Sequence, residues 1–282
     1  MRVFVAILLG GLTSTLYALS TSLQALVARR EPTTTALRAT LIGRLVRNKI
    51  WLLGTLCGVL AWPMQAIALS LASVAIVQPA LGLGLIVLLV LGVRMLHEHV
   101  GPREIVGAAA ITGAVIVLGW ASAPETGSFT RGGQIAVVGL LAFSALAPYG
   151  LRVLGQAGGL ATSISAGIGW AAVGLSTALI VGALADRHWL AILAWGAGTG
   201  AAAWSGLLSE MTALQSWPAT RAIPVVFALE MSLPAALAPA LTRTAPLHPV
   251  PFALALAVAV GGAALLGSSR AVARAANPLT NP

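Results

Sequence analysis

Glu230 stands inside residues 223–241, IPVVFALEMSLPAALAPAL, a run that is otherwise apolar. A carboxylate in such a run can carry a proton, bind a cation, or hold helices together as a hydrogen-bonded acid. At mid-membrane depth it costs roughly 2.5–3.5 kcal/mol on insertion scales, so a partner or a use is expected for it. Pro234 adds to the polarity of this place. Proline has no amide proton, so the carbonyl four residues earlier, that of Glu230, loses its helical donor. Pro224 and Pro239 lie in the same run, and three prolines around one acid predict a broken helix lining a cavity.

Other polar residues fall in apolar surroundings. Thr13, Tyr17, Ser20, Thr21 and Gln24 recur at spacings of three and four, which puts them on one helical face. They can either join helices or line a polar path. Glu210 shares a face with Thr199 and Gly206, and Arg221 opens the next apolar run at a similar depth, so an Arg221–Glu210 pair is expected. Gln65, Gln78 and Trp170 complete the lining candidates for a substrate- or proton-binding site.

Several other chemistries are excluded. His97 and His99 are two residues apart. On a helix their imidazoles diverge, so His97-Glu98-His99 reads as a capping or interfacial turn and not as a metal site. The Gly196, Gly198 and Gly200 spacing lies in an apolar run with no preceding strand, which removes a nucleotide-loop reading. Cys57 is the only cysteine, so intrachain disulfides and thiolate metal centres are ruled out. No nucleophile–base pattern points to an enzyme, and no motif calls for a metal or another cofactor.

The elements that must position these residues are membrane spans. Hydrophobic residues make up 58% of the 282, charged residues 8%, and the mean hydropathy is +0.95, a composition of polytopic membrane proteins. Nine runs reach the ~20 residues needed to cross a ~30 Å hydrocarbon core. They lie near 3–27, 50–70, 74–94, 104–122, 133–151, 161–185, 189–209, 220–241 and 251–269. The fold class expected is all-α, with the bilayer as first partner. Residues 33–48, carrying Arg38, Arg44 and Arg47, are expected to form an amphipathic helix on the membrane surface.

The net charge of +9 is placed by topology and does not indicate nucleic acid. Six basic residues, Arg29 to Lys49, precede the second span. With that loop cytoplasmic, alternation places 12 of the 16 basic residues inside. The positive-inside bias then sets the N-terminus outside and the C-terminus in the cytoplasm. The first run is long for a signal peptide and ends in Arg29-Arg30, so it is expected to remain as a span. The Ala- and Arg-rich composition suggests a bacterial plasma membrane.

The halves resemble each other. Ala68, Leu69 and Pro79 match Ala213, Leu214 and Pro224 at one spacing, and Gly113 and Gly119 match Gly261 and Gly267. The same offset sets Gln65 against Glu210. Under this topology span two runs outward and span seven inward, so the repeats, about 1–125 and 131–272, are expected to be inverted. Together they form one integral membrane domain.

Residues 69–125, LSLASVAIVQPALGLGLIVLLVLGVRMLHEHVGPREIVGAAAITGAVIVLGWASAPE, resemble the drug/metabolite transporter (EamA-like) superfamily. The shared features are a tight turn, a span opening on a polar residue and proline, an acid at its cytoplasmic end (Glu98), and a Gly-rich span. The nearest branch is the NIPA-like magnesium-transporter group, which also has nine spans. The resemblance implies a secondary transporter with a central cavity between inverted repeats. Where that branch carries an acid in its second span, this chain has Trp62, Pro63 and Gln65. That departure points away from Mg²⁺ and toward a small organic solute or drug-like cation, coupled to protons. Magnesium transport stands as the alternative, and a non-transporting accessory or lipid-handling subunit as the alternative of another class.

Overall fold

The computed structural model describes residues 2–71, 74–122 and 129–267. The side chains of residues 69, 70, 74–79 and 81, which include Gln78, lie outside that description, as do Ala123-Pro124-Glu125, Arg270 and Arg274. Among the described residues every regular element is a helix: α1 (Arg2–Ala28), a 3₁₀ turn (Thr33–Thr35), α2 (Ala39–Leu45), α3 (Lys49–Leu71), α4 (Val74–Leu96), α5 (Pro102–Ala121), α6 (Arg131–Val153), α7 (Gly159–Ala185), α8 (Trp189–Ser216), α9 (Ala219–Thr242) and α10 (Pro249–Gly267). The protein is an all-α polytopic membrane protein. Among the described residues eight helices have the length and apolarity to cross a bilayer. The remaining long helix, α4, has 23 residues and an apolar stretch over Gly82–Leu96.

Large apolar side chains that would collapse into a core in water stay exposed here. Leu52, Val59, Trp62, Ile135, Leu146 and Leu190 face outward, as lipid contact requires. With lipid tails as apolar as leucine, packing between helices relies on small residues and polar links. The bundle follows that rule. A Cβ on Gly54 would meet the Ser20 carbonyl at 2.9 Å, and one on Gly169 would meet the Gly206 Cα at 2.8 Å. Ser165–Ser209 (2.9 Å) and Thr199–Ser176 (2.8 Å) join α7 to α8 through hydroxyls.

The packing order occurs twice. α1 packs on α3 and α4, and α4 packs on α5; α7 packs on α8 and α9, and α9 packs on α10. α5 and α10 join the two sets. Both α4 and α9 are followed by a left-handed residue, His97 at φ 53° and Arg243 at φ 57°. α6 packs across α7 and α8 and has no counterpart against α1 and α3 among the described residues.

Two sequence expectations are corrected. Residues 33–48 do not lie free on a membrane surface. Only seven residues form α2, and Leu37, Leu41 and Leu45 are fully buried. The Leu37 amide donates to Thr212 Oγ1 on α8 at 3.0 Å, while Arg38, Arg44 and Arg47 stay exposed. The apolar face of this segment therefore docks on protein. Nor is α9 broken: it runs continuously through Pro224, Pro234 and Pro239. Prolines in membrane helices are tolerated where neighbouring groups re-satisfy the freed carbonyls.

Candidate functional site

Three side chains of the candidate set occupy one level. Tyr17 on α1, Trp170 on α7 and Glu230 on α9 each stand eleven residues from the helix ends Ala28, Gly159 and Ala219. Those ends gather at one side of the bundle. Arg29 and the Ala219 amide share the Glu98 carboxylate, and Gly159 abuts Trp217 so closely that a Cβ would stand 2.5 Å from it. At 1.5 Å per residue the three side chains lie about 16 Å from that basic end, near mid-span.

Two polar pairs flank this level. Tyr17 donates its hydroxyl proton to Gln65 Oε1 at 3.2 Å, and the Trp170 indole donates to Glu210 Oε2 at 2.7 Å. Gln65 and Glu210 are the residues matched by the repeat offset. Each half therefore sets an aromatic donor, on α1 or α7, on an amide or carboxylate of the long helix that follows it, α3 or α8. Glu210 and Glu230 sit deep in the bundle yet keep accessible surface. Glu230 is within electrostatic reach of both Glu210 and Tyr17. Among the described residues, no hydrogen bond or ion pair engages the Glu230 carboxylate.

The remaining candidates are placed elsewhere. Arg221 does not pair with Glu210. Its Nε donates to Glu104 Oε1 at 2.8 Å, because the first turn of α9 packs against the first turn of α5 at the basic end. Gln24 is buried between α1 and α3, where Nε2 donates to Thr55 Oγ1 at 3.2 Å and the side chain abuts Gly54. Here the polar face of α1 joins helices. Gln78 lies outside the described side chains.

Glu98 and Glu104 organise the basic end, and the sequence patterns taken up above point only to the first. The Glu98 carboxylate accepts the amides of Ala219 (2.7 Å) and Thr220 (2.9 Å) through Oε1 and Oε2. It also accepts the Thr220 hydroxyl and pairs with Arg29 Nη2. It thus caps α9, satisfying donors that every helix start leaves unpaired and meeting the positive end of the helix dipole. Burial lowers the pKa of Arg29, but an arginine stays charged, so this is a full ion pair. The capping role was legible in His97-Glu98-His99; that the capped helix is α9, 121 residues on, was not. Glu104 accepts the Gly101 amide at 2.8 Å. Gly-Pro-x-Glu at a helix start was the signal available for it.

An apolar pocket of about 290 Å³ lies between α6, α7 and α9, lined by Val137, Leu140, Phe143, Leu175, Leu237 and Leu241. None of the polar candidates lines it, and an apolar recess on a lipid-facing bundle suits an acyl chain. Among the described residues no three His, Cys, Asp or Glu side chains come together as a metal site. Known protein families, curated proteins and solved structures give no match to the chain.

Proposed function

We propose that this membrane protein is a secondary transporter of the drug/metabolite type that moves a small organic cation through a chamber between two inverted repeats. The observation that carries this reading is Glu230, a mid-bundle carboxylate with accessible surface and, among the described residues, no hydrogen-bond or ion-pair partner. A charge held at that depth needs a proton or a ligand cation to balance it. A carboxylate that holds a proton when the chamber is empty and releases it to a cationic substrate is the simplest coupling device for such a site. The recurring packing order of α1, α3–α5 and α7–α10 supports the inverted-repeat plan. The repeats alternate about a shared chamber, and the basic end faces the cytoplasm of a bacterial plasma membrane. The chain is a carrier and not an enzyme.

The test is Glu230→Gln in proteoliposomes. Glutamine keeps the size and hydrogen-bonding shape of the protonated acid, so folding and insertion should survive. Coupled uptake, and proton release on substrate addition, should be lost. Transport at the parent rate would make Glu230 structural and end this reading. The proximity of Glu210 to Glu230 favours one second reading, Mg²⁺ held through carboxylates and its own waters. Expression in a magnesium-uptake-deficient strain should give no rescue at low external Mg²⁺; rescue that disappears in Glu230→Gln would put magnesium first.

A further inference from the structure

The charge balance of the chamber says more than that it takes a cation. Glu210 and Glu230 border the junction of α7, α8 and α9. Gly167, one turn from Trp170, is packed on Leu229 so tightly that a Cβ would stand 2.7 Å from it, and Trp170 holds Glu210 at 2.7 Å. The two acids influence each other electrostatically. The basic residues that could neutralise them are engaged elsewhere: Arg221 pairs with Glu104 and Arg29 with Glu98, both at the basic end. Trp170 donates its indole N–H to Oε2 of Glu210, and an aromatic ring beside a carboxylate suits an organic cation.

A second observation is independent of the acids. Thr13 Oγ1 is fully buried and has no hydrogen-bond partner. It lies one turn from Tyr17 on the same face of α1. A buried hydroxyl that the fold leaves unsatisfied is unusual and marks a place where a water or ligand atom completes the bonding. This level thus brings together two carboxylates and two aromatic side chains, with an orphan hydroxyl one turn along α1 and no cation of its own among the described residues.

We infer that the chamber selects organic dications over monocations of the same size, with one cationic centre at Glu230 and the second at Glu210. This rests on the transporter reading and deepens it. Gln65, the repeat partner of Glu210, keeps the aromatic hydrogen bond without the charge, so the second charge belongs to one half alone.

The experiment measures binding of two permanently charged probes, hexamethonium and hexyltrimethylammonium, to the full chain in nanodiscs by intrinsic tryptophan fluorescence, at fixed ionic strength. The bis-quaternary probe should bind about tenfold more tightly or better, since a second desolvated charge contact adds to the first. In Glu210→Gln the ratio of the two affinities should fall toward one, and a melting curve checks that the variant is folded. Equal affinities in the parent protein overturn the dication inference and leave the cation-transporter reading standing. Binding of neither probe overturns both. A preference that survives in Glu210→Gln also overturns the inference, because the second charge would then be read elsewhere.

Discussion

Glu98 and Glu230 show how partners decide what a membrane carboxylate does. Glu98 is nearly fully buried and accepts two amides, a hydroxyl and a guanidinium, so its charge is matched and its role is to hold α9 against α1 and α4. Glu230 has surface and, among the described residues, no hydrogen-bond or ion-pair partner. Removing one member of a buried, hydrogen-bonded ion pair leaves its partners unsatisfied and costs about 3–5 kcal/mol. Glu98→Ala should therefore lower the thermal midpoint in detergent sharply, whereas Glu230→Gln should melt close to the parent. If the two variants melt alike, the division between a structural and a free acid is wrong. Trp170→Phe makes a finer test at the same scale. It keeps an aromatic ring beside Glu210 but removes the indole donor, so binding of a cation that displaces this hydrogen bond should change while the midpoint shifts by about 1 kcal/mol or less in stability. A fall comparable to that of Glu98→Ala would make the Trp170–Glu210 bond part of the scaffold.

Among the helices, close approach at glycine governs the packing. Gly169 and Gly174 lie on the same helix. A Cβ at Gly169 runs into the backbone of Gly206 at 2.8 Å, whereas one at Gly174 meets nothing within 4 Å. Gly169→Ala should force α7 from α8 and destabilise by about 1–3 kcal/mol. Gly174→Ala should be neutral, or stabilising by up to about 1 kcal/mol through helix propensity. Melting curves of the pair decide it, and equal effects would place the α7–α8 contact elsewhere. The long helices were legible in the sequence because runs such as 189–209 and 251–269 have a single physical cause, the thickness of the hydrocarbon core. What each helix packs on was legible only in part. The shared Gln65–Glu210 offset pointed to matched positions, but the aromatic donors opposite them, Tyr17 and Trp170, carry no common motif. The sequence matches Arg221 to Glu210 because depth along a helix can be counted, whereas azimuth between helices cannot. Glu104, on a helix 117 residues away in sequence, is nearer. For the same reason the pattern of residues 33–48 suggests a surface helix: an amphipathic pattern records that one face is buried, but not whether lipid or α8 buries it.

For the whole molecule the distribution of charge gives direction. Arg29, Arg38, Arg44, Arg47, Arg94, Arg103 and Arg221 gather at the end where α1 finishes and α9 begins, and Arg2, Arg131, Arg187 and Arg243 lie at the other. That end is also the more firmly closed by polar links: Arg29 to Glu98, Arg221 to Glu104, and Gln215 Nε2 to Thr35 Oγ1 at 3.1 Å. The largest buried apolar cluster, from Leu41 and Leu88 through Leu208, Leu214 and Val225, fills the same half of the bundle. Arginines near short loops are retained in the cytoplasm during insertion, so the sealed end should be the cytoplasmic one. Reporter fusions after Arg47 and after Arg274 should both report cytoplasm. Opposite locations would require an odd number of crossings between them. One of the helices α3 to α10 would then fail to span, and two halves with one packing order could no longer face each other as inverted copies across the level of Tyr17, Trp170 and Glu230.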